Sequence, residues 1–190
     1  MLQRLIVVSG IFFLLGTAPL WAAEKLVIET NRGNITVELD AEKAPESVKN
    51  FLAYVDAGFY EGTVFHRVIR DFMIQGGGFD TNLKMKQGRP AIKNEAGNGL
   101  KNLRGTLAMA RTNVVDSATS QFFINLKDNK FLDHRDETAQ GFGYAVFGRV
   151  VEGMDVVDRI GTAPTRSQNA LFSDLPADQV VITAVRRLKE

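Results

Sequence analysis

The sequence predicts a mainly β protein, folded as a closed antiparallel barrel of about eight strands with two helices. The first observation is that about eight short runs rich in β-branched and aromatic residues recur along the chain, against two segments with helical periodicity. The second observation is that most of these runs follow one another through loops. A parallel α/β sheet would need helices between most of its strands, so that architecture is excluded.

The first predicted elements are a hairpin and a helix. Residues 26–30 and 34–39 are strand-like, and Asn31-Arg32-Gly33 between them is typical of a turn. A helix follows from Pro45, which suits a first helical turn, and Gly58 ends it. Its apolar residues recur with helical spacing: Val48, Phe51, Leu52 and Val55.

The remaining elements are short strands and one more helix. Strands are predicted over residues 63–69, 72–75, 105–110, 121–126, 144–150 and 180–185. Residues 154–160 predict a short amphipathic helix. The glycines at 76–78 predict a turn, and the polar stretch 80–104, which lacks periodicity, predicts a surface loop.

Residues 1–23 have the layout of a secretory signal peptide. Arg4 gives a positive start, residues 5–15 are apolar, and Ala22-Ala23 end the segment. The apolar run is shorter than the roughly 20 residues of a membrane-spanning helix. We therefore predict that residues 24–190 form one exported domain without membrane contact after the leader is removed. An uncleaved amino-terminal anchor is the alternative.

Composition excludes several classes of function. The chain has 23 basic and 22 acidic residues, and loss of Arg4 with the leader balances them, so no basic field exists to bind nucleic acid. With no Cys, the chain has no disulfide, thiol nucleophile or thiolate metal site. Its two histidines, His66 and His134, are too few for a three-imidazole zinc site.

Three segments mix amide and apolar side chains in a way that a barrel core does not require: residues 65–78, 107–111 and 120–124. Alternate residues of a strand share a face, so Met73 lies beside Gln75, and Gln121 beside Phe123. A buried amide needs hydrogen-bond partners, which a purely apolar core would not offer.

These segments resemble the cyclophilin peptidyl-prolyl isomerases, and the resemblance covers nearly all of residues 24–190. Three more blocks occur in the family's order: Ala-Pro-Glu-Ser-Val-Lys-Asn-Phe at 44–51, Gly58-Phe59-Tyr60, and Val146-Phe147-Gly148. With the leader and Lys-Asn-Glu-Ala at 93–96, the chain is most similar to bacterial periplasmic cyclophilins. The resemblance implies an eight-stranded barrel capped by two helices, with an active site in an external groove.

The resemblance also implies the role of each site residue. Arg67 is the catalytic arginine, His66 adjoins the site, and Gln75 and Gln121 hold Arg67 and polar groups of the substrate. The proline pocket consists of four side chains: Phe72, Met73, Phe123 and Leu132.

Four further positions line the groove, and three of them depart from the family's usual residues. Ala110 and Arg111 follow the peptide backbone, and Arg111 stands where the family often has Asn. Phe131 replaces a frequent Trp, and Tyr144 a frequent His. Because that Trp supports cyclosporin affinity, the resemblance implies weak cyclosporin binding.

The implied function is cis–trans isomerisation of X–Pro bonds in peptides and unfolded exported proteins, by a periplasmic monomer without a cofactor or a metal. Two other functions stay open: a peptide-binding chaperone whose isomerase activity is incidental, and a hydrolase that uses His66 as a base, although Gly-x-Ser-x-Gly is absent. An acidic cluster offers a divalent-metal site as a further alternative to a solvated loop: Asp128, Asp133, His134, Asp136 and Glu137.

Overall fold

The computed structural model describes residues 24–188, and the predicted signal peptide lies outside them. It has ten strands in chain order: β1 (Lys25–Thr30), β2 (Gly33–Leu39), β3 (Thr63–Ile69), β4 (Met73–Asp80), β5 (Thr106–Met109), β6 (Phe122–Asn125), β7 (Val146–Glu152), β8 (Thr165–Arg166), β9 (Leu175–Pro176) and β10 (Val181–Arg187). Two α-helices accompany them, α1 (Pro45–Asp56) and α2 (Met154–Gly161), with short 3-10 turns at Ala96–Asn98 and Lys130–Leu132.

Eight of these strands close into an antiparallel barrel in the order β1-β10-β3-β4-β6-β5-β7-β2, which confirms the predicted fold. Inward-facing residues fill the interior, so the barrel encloses a packed core rather than a channel. Phe51 of α1 is central to it, because its ring lies 5.1–5.4 Å from those of Tyr60, Phe122 and Phe147. No helix within residues 24–188 has the length and apolar character needed to cross a bilayer.

The amino end of α1 is capped from a distant loop. Ala44 at the cap position has no side chain that could accept a hydrogen bond. Instead, the Glu95 carboxylate accepts the backbone N–H groups of Glu46 and Ser47, at 3.0 and 2.7 Å. A carboxylate at this end also complements the helix dipole, so Glu95 ties the 80–104 segment to the barrel. That segment has no regular strand and one 3-10 turn, as expected for a loop, although Asn94, Ala96 and Asn102 within it are buried.

The predicted turn at residues 76–78 is wrong, because β4 continues through all three glycines to Asp80. Gly77 has φ +82°, a conformation that favours glycine, and the pairing of β3 with β4 shifts register nearby. At Gly76, an added β-carbon would lie 2.9 Å from the Phe65 ring. The glycines therefore let a bulged strand pass close to its neighbours.

The β8–β9 hairpin was not predicted from the sequence, since each of its strands has only two residues. It lies against the outside of β3, where the Val68 N–H donates to the Asp174 carbonyl at 2.9 Å. Phe172 and Leu175 are buried there against Val64 and Phe79.

Candidate active site

A second apolar cluster lies on the outer side of the barrel, separate from the main core. Alternation along β4, β5 and β6 creates it, because their other faces point inward. Its buried members are Met73, Ala108, Phe123, Leu132 and Val146. Partly exposed residues surround them: Ile69, Phe72, Leu100, Ala110 and Tyr144. The structure thus brings together the four residues of the predicted proline pocket, and it adds Ala108 and Val146, which sequence reasoning missed.

Aromatic rings form the rim of this pocket. Phe131 is 61% exposed and stacks on Phe72, with ring centroids 5.5 Å apart. Tyr144 meets the ring of Phe123 edge-on at 5.7 Å. An apolar floor with an open aromatic rim suits a small apolar ring that enters from solvent.

Two amide side chains lie beside the pocket and bind each other. Gln75 Nε2 donates to Gln121 Oε1 at 2.9 Å, which joins β4 to the segment before β6. Gln75 also pairs with Arg67 in the β3–β4 register. Gln75 and Arg67 are therefore neighbours across the β3–β4 pair. The resemblance implied that both amides hold Arg67, whereas the hydrogen bond described here joins the two amides to each other.

The guanidinium of Arg67 has an ion partner that sequence reasoning did not anticipate. Its Nε lies 3.7 Å from Asp174 Oδ2, and the Arg67 side chain is 41% exposed. The hydrogen bond between Gln75 and Gln121 joins these two side chains to each other, and Arg67 is not part of it. Arg67 thus lies between Gln75, its register partner on β4, and a carboxylate on the β8–β9 hairpin.

Arg111 uses its donors on backbone carbonyls. Nε donates to the Gly143 carbonyl at 2.9 Å, Nη1 to Thr112 at 2.9 Å and Nη2 to Ala139 at 2.8 Å. The guanidinium also lies over the Tyr144 ring, 4.8 Å from its centroid. Arg111 therefore fastens the 139–143 loop to the pocket rim, where the resemblance had implied a contact with the peptide backbone.

The structure places the His66 ring away from the pocket. It is 4% exposed and lies 4.6 Å from the Phe79 ring and 6.3 Å from that of Phe172. Burial lowers the pKa of His66 to about 4, and the nearby Arg67 charge acts in the same direction. The imidazole is therefore neutral at pH 7 and packs as part of an apolar cluster.

Three buried asparagines that sequence reasoning missed support the pocket from behind: Asn102, Asn125 and Asn129. Asn125 accepts from Asn129 at 2.7 Å and donates to Asn102 at 3.2 Å. Asn129 also donates to the Phe72 carbonyl at 2.9 Å. Asn102 donates to the carbonyls of Leu132 at 3.2 Å and Tyr144 at 3.3 Å, so both outer asparagines bind the backbone of pocket residues. A buried amide network of this kind holds the backbone in one arrangement.

The carboxylates of the acidic segment bind nearby backbone groups. Asp128 accepts from the Arg104 N–H at 2.9 Å, and Asp133 from the Asn102 N–H at 2.7 Å. Asp136 accepts from the Thr138 hydroxyl and from the Thr138 N–H, and these two hydrogen bonds, the hydroxyl first, lower the pKa of Asp136. Among residues 24–188, no three acidic or histidine side chains lie together as a metal site would require.

Comparison with known proteins identifies the family. Residues 25–187 match the family model of the cyclophilin type peptidyl-prolyl cis-trans isomerases. This chain belongs to the cyclophilin family. It is a peptidyl-prolyl cis-trans isomerase, as the sequence resemblance implied.

Individual relatives agree with this assignment. The cyclophilin is 55% identical to peptidyl-prolyl cis-trans isomerase B of Escherichia coli over 161 residues, which covers 84% of this chain and 97% of the relative. It is 54% identical to a peptidyl-prolyl cis-trans isomerase of Acinetobacter baylyi over 186 residues, covering 98% and 96% of the two chains.

Solved structures show the same fold. A cyclophilin type isomerase of Cryptosporidium parvum superposes with a TM-score of 0.73 at 26% identity, covering 89% of this chain and 99% of the other. A further crystal structure of that protein, in the presence of the dipeptide Ala-Pro, has a TM-score of 0.72 at 27% identity, covering 87% and 99%.

Proposed function

We propose that this isomerase turns X–Pro bonds in exported, unfolded chains, with Arg67 as its catalytic group and the outer apolar cluster as its proline pocket. The main observation behind this proposal is that the pocket, in which Met73, Phe123 and Leu132 are buried, lies beside the β3–β4 pair. This strand pair contains Arg67 and Gln75 in register. A proline ring in the pocket brings its peptide nitrogen toward the guanidinium. The Ala-Pro dipeptide used with the Cryptosporidium parvum protein supports this class of ligand.

The chemistry requires recognition of a twisted amide. The planar X–Pro bond resists rotation because resonance gives its C–N bond partial double-bond character, with a barrier of about 18–20 kcal/mol. Halfway through rotation the nitrogen lone pair is localised and accepts a hydrogen bond. A guanidinium that donates to this nitrogen binds the twisted form better than the planar form, and that difference accelerates the reaction.

The magnitudes show that Arg67 works together with the pocket. A rate gain of about 10⁵ requires roughly 7 kcal/mol. One charge-assisted hydrogen bond contributes about 1.5–3 kcal/mol of this. Preorganised groups around the reacting bond and the anchoring of the ring supply the remainder. Covalent chemistry is not needed for any of these steps.

The place of action is proposed from the first residues. A leader over residues 1–23 would send the domain to the periplasm, where unfolded exported chains are its substrates. The match to the Acinetobacter baylyi relative covers 98% of this chain and so extends into residues 1–23. This supports the view that the relative has a corresponding segment before its isomerase domain. Intact mass of the protein from a periplasmic fraction tests this, with residue 24 expected as the amino terminus. A cytoplasmic protein of full mass would contradict it.

The catalytic role is tested by isomerisation of a proline tetrapeptide. We expect Arg67→Ala to lower kcat/KM by about 10²-fold or more while peptide affinity changes little, because the pocket remains intact. Arg70→Ala is the matched control, since Arg70 is an exposed arginine that donates to the Thr162 carbonyl at 3.3 Å. Full activity of Arg67→Ala would assign the rotation to other groups.

A further inference from the structure

Asp174 is the charged partner of the proposed catalytic group. Its Oδ2 lies 3.7 Å from Arg67 Nε, and both side chains are partly exposed, at 33% and 41%. We propose that Asp174 is a positioning residue for Arg67, whose carboxylate occupies the Nε edge of the guanidinium and leaves the Nη edge for the substrate. This inference rests on the proposed catalytic role of Arg67.

Backbone hydrogen bonds hold the Asp174 segment against β3 and so fix the position of the Asp174 carboxylate. The Asp174 carbonyl accepts the Val68 N–H at 2.9 Å, and Val68 is the residue next to Arg67 on β3. Farther along, the Phe65 N–H donates to the Val180 carbonyl at 2.9 Å. The segment that carries Asp174 is therefore hydrogen-bonded along the strand that carries Arg67.

Apolar packing holds the same segment on both sides of Asp174. Phe172 is 6% exposed and Leu175 is 1% exposed. The Phe172 ring meets that of Phe79 at 5.1 Å, and Val64 completes this cluster on the outer face of β3 and β4. Burial of two large side chains stabilises the docked hairpin by about 3–6 kcal/mol, which is enough to keep Asp174 in place.

The carboxylate itself is oriented by its neighbour. Ser173 Oγ donates to Asp174 Oδ2 at 2.8 Å, the same oxygen that faces Arg67. A free arginine side chain has many rotamers, and holding it in one costs conformational entropy. A fixed carboxylate beside Nε restricts those rotamers before the substrate arrives.

The effect belongs to catalysis more than to stability. Exposed ion pairs contribute little to folding, so loss of this pair should leave the melting temperature almost unchanged. The same pair restricts a group that must meet the proline nitrogen at hydrogen-bond distance, and small errors of position there reduce the rate.

The first experiment compares kcat and KM, measured by NMR exchange on a proline tetrapeptide, for Asp174→Asn and Asp174→Glu. We expect Asp174→Asn to lower kcat about three- to fivefold with little change in KM, because the substitution removes an interaction of exposed-pair strength. Asp174→Glu restores part of the loss. Asp178→Asn is the matched control, because it removes a pair with Arg32 at 3.5 Å on the same segment and should leave kcat unchanged.

The second experiment tests whether Asp174 acts through Arg67. Lysine has no Nε–H group of the guanidinium type, so Asp174→Asn should cause no further loss in an Arg67→Lys background. In the parent protein, the Arg67 Nε–H resonance should shift and exchange faster with water after Asp174→Asn.

The outcomes separate the two proposals. An Asp174→Asn protein with kcat within about 1.5-fold of the parent, or with an equal loss in the Arg67→Lys background, overturns the positioning role while the role of Arg67 stands. If Arg67→Ala is itself fully active, both proposals fail. An unchanged Nε–H signal would show that the pair does not form.

Discussion

Gln121 lies directly over the α-carbon of Gly78, so close that a β-carbon added to this glycine would be 2.5 Å from Gln121 Cγ. That position is where Gln121 Oε1 accepts from Gln75 Nε2 at 2.9 Å. A glycine inside β4 therefore creates the space for the amide pair. This relationship explains why a strand that contributes to the barrel contains a residue with poor strand propensity.

Gly78→Ala should lower isomerase activity by displacing Gln121. We expect kcat/KM to fall about tenfold, which corresponds to about 1.4 kcal/mol, with the fold intact. The measurement is the tetrapeptide assay together with the melting temperature. Gly97→Ala serves as control, because its added β-carbon meets His134 at an ordinary 3.8 Å. Equal activity of the two variants would show that the amide pair is not required.

The buried His66 should make stability depend on pH. The pKa of His66 is lowered from 6.5 to about 4 in the folded protein, so below pH 6.5 the unfolded chain binds more protons. The contribution of neutral His66 to the free energy of unfolding should therefore be fully present above pH 6.5. It should decrease as the pH falls toward 4 and change little below that. The expected loss from this group is about 3 kcal/mol.

Urea unfolding between pH 7 and 4 measures this effect. His66→Phe removes the titrating group and should flatten the curve over this range, whatever its own stability at pH 7. Identical pH dependence of the free energy of unfolding in both proteins would refute the assignment.

Arg111→Asn, the family's frequent residue, should loosen the 139–143 loop, because the Ala139 and Gly143 carbonyls lose their donor. We expect KM to rise about threefold with kcat nearly unchanged, since the rim of the pocket is affected and Arg67 is not. Faster amide exchange in the loop should accompany it. Arg135→Asn, in an exposed arginine near the loop, is the control. A fall in kcat alone would place Arg111 in the reaction instead.

Phe131→Trp should strengthen cyclosporin binding. Phe131 is 61% exposed at the rim and stacks on Phe72, so a larger indole can be accommodated there without repacking the core. We expect the Kd for cyclosporin to fall about tenfold, whereas kcat/KM for the tetrapeptide stays within about twofold. Titration calorimetry measures the affinity, and unchanged binding would show that other residues limit it.

The sequence predicted the barrel well because its evidence is local. Alternating apolar residues in the strands and the helical spacing around Phe51 are properties of neighbouring residues, and both were confirmed. Alternation paired Met73 with Gln75 and Gln121 with Phe123, and the family resemblance implied that Met73 and Phe123 share one pocket, where the structure brings them together. The glycines at 76–78 were misread as a turn, because a bulged strand and a turn use the same residue type.

Only the tertiary structure decided the contacts between segments that are far apart in the chain. Nothing near Asp174 in sequence indicates that it meets Arg67, and nothing around Asn102 or Asn129 distinguishes these residues from loop asparagines. Barrel closure and the docking of the β8–β9 hairpin bring them to the pocket. By itself the sequence determined which faces are apolar, since side-chain direction follows from strand geometry. The folded chain determined which polar groups meet there, because those pairings depend on the packing of whole elements.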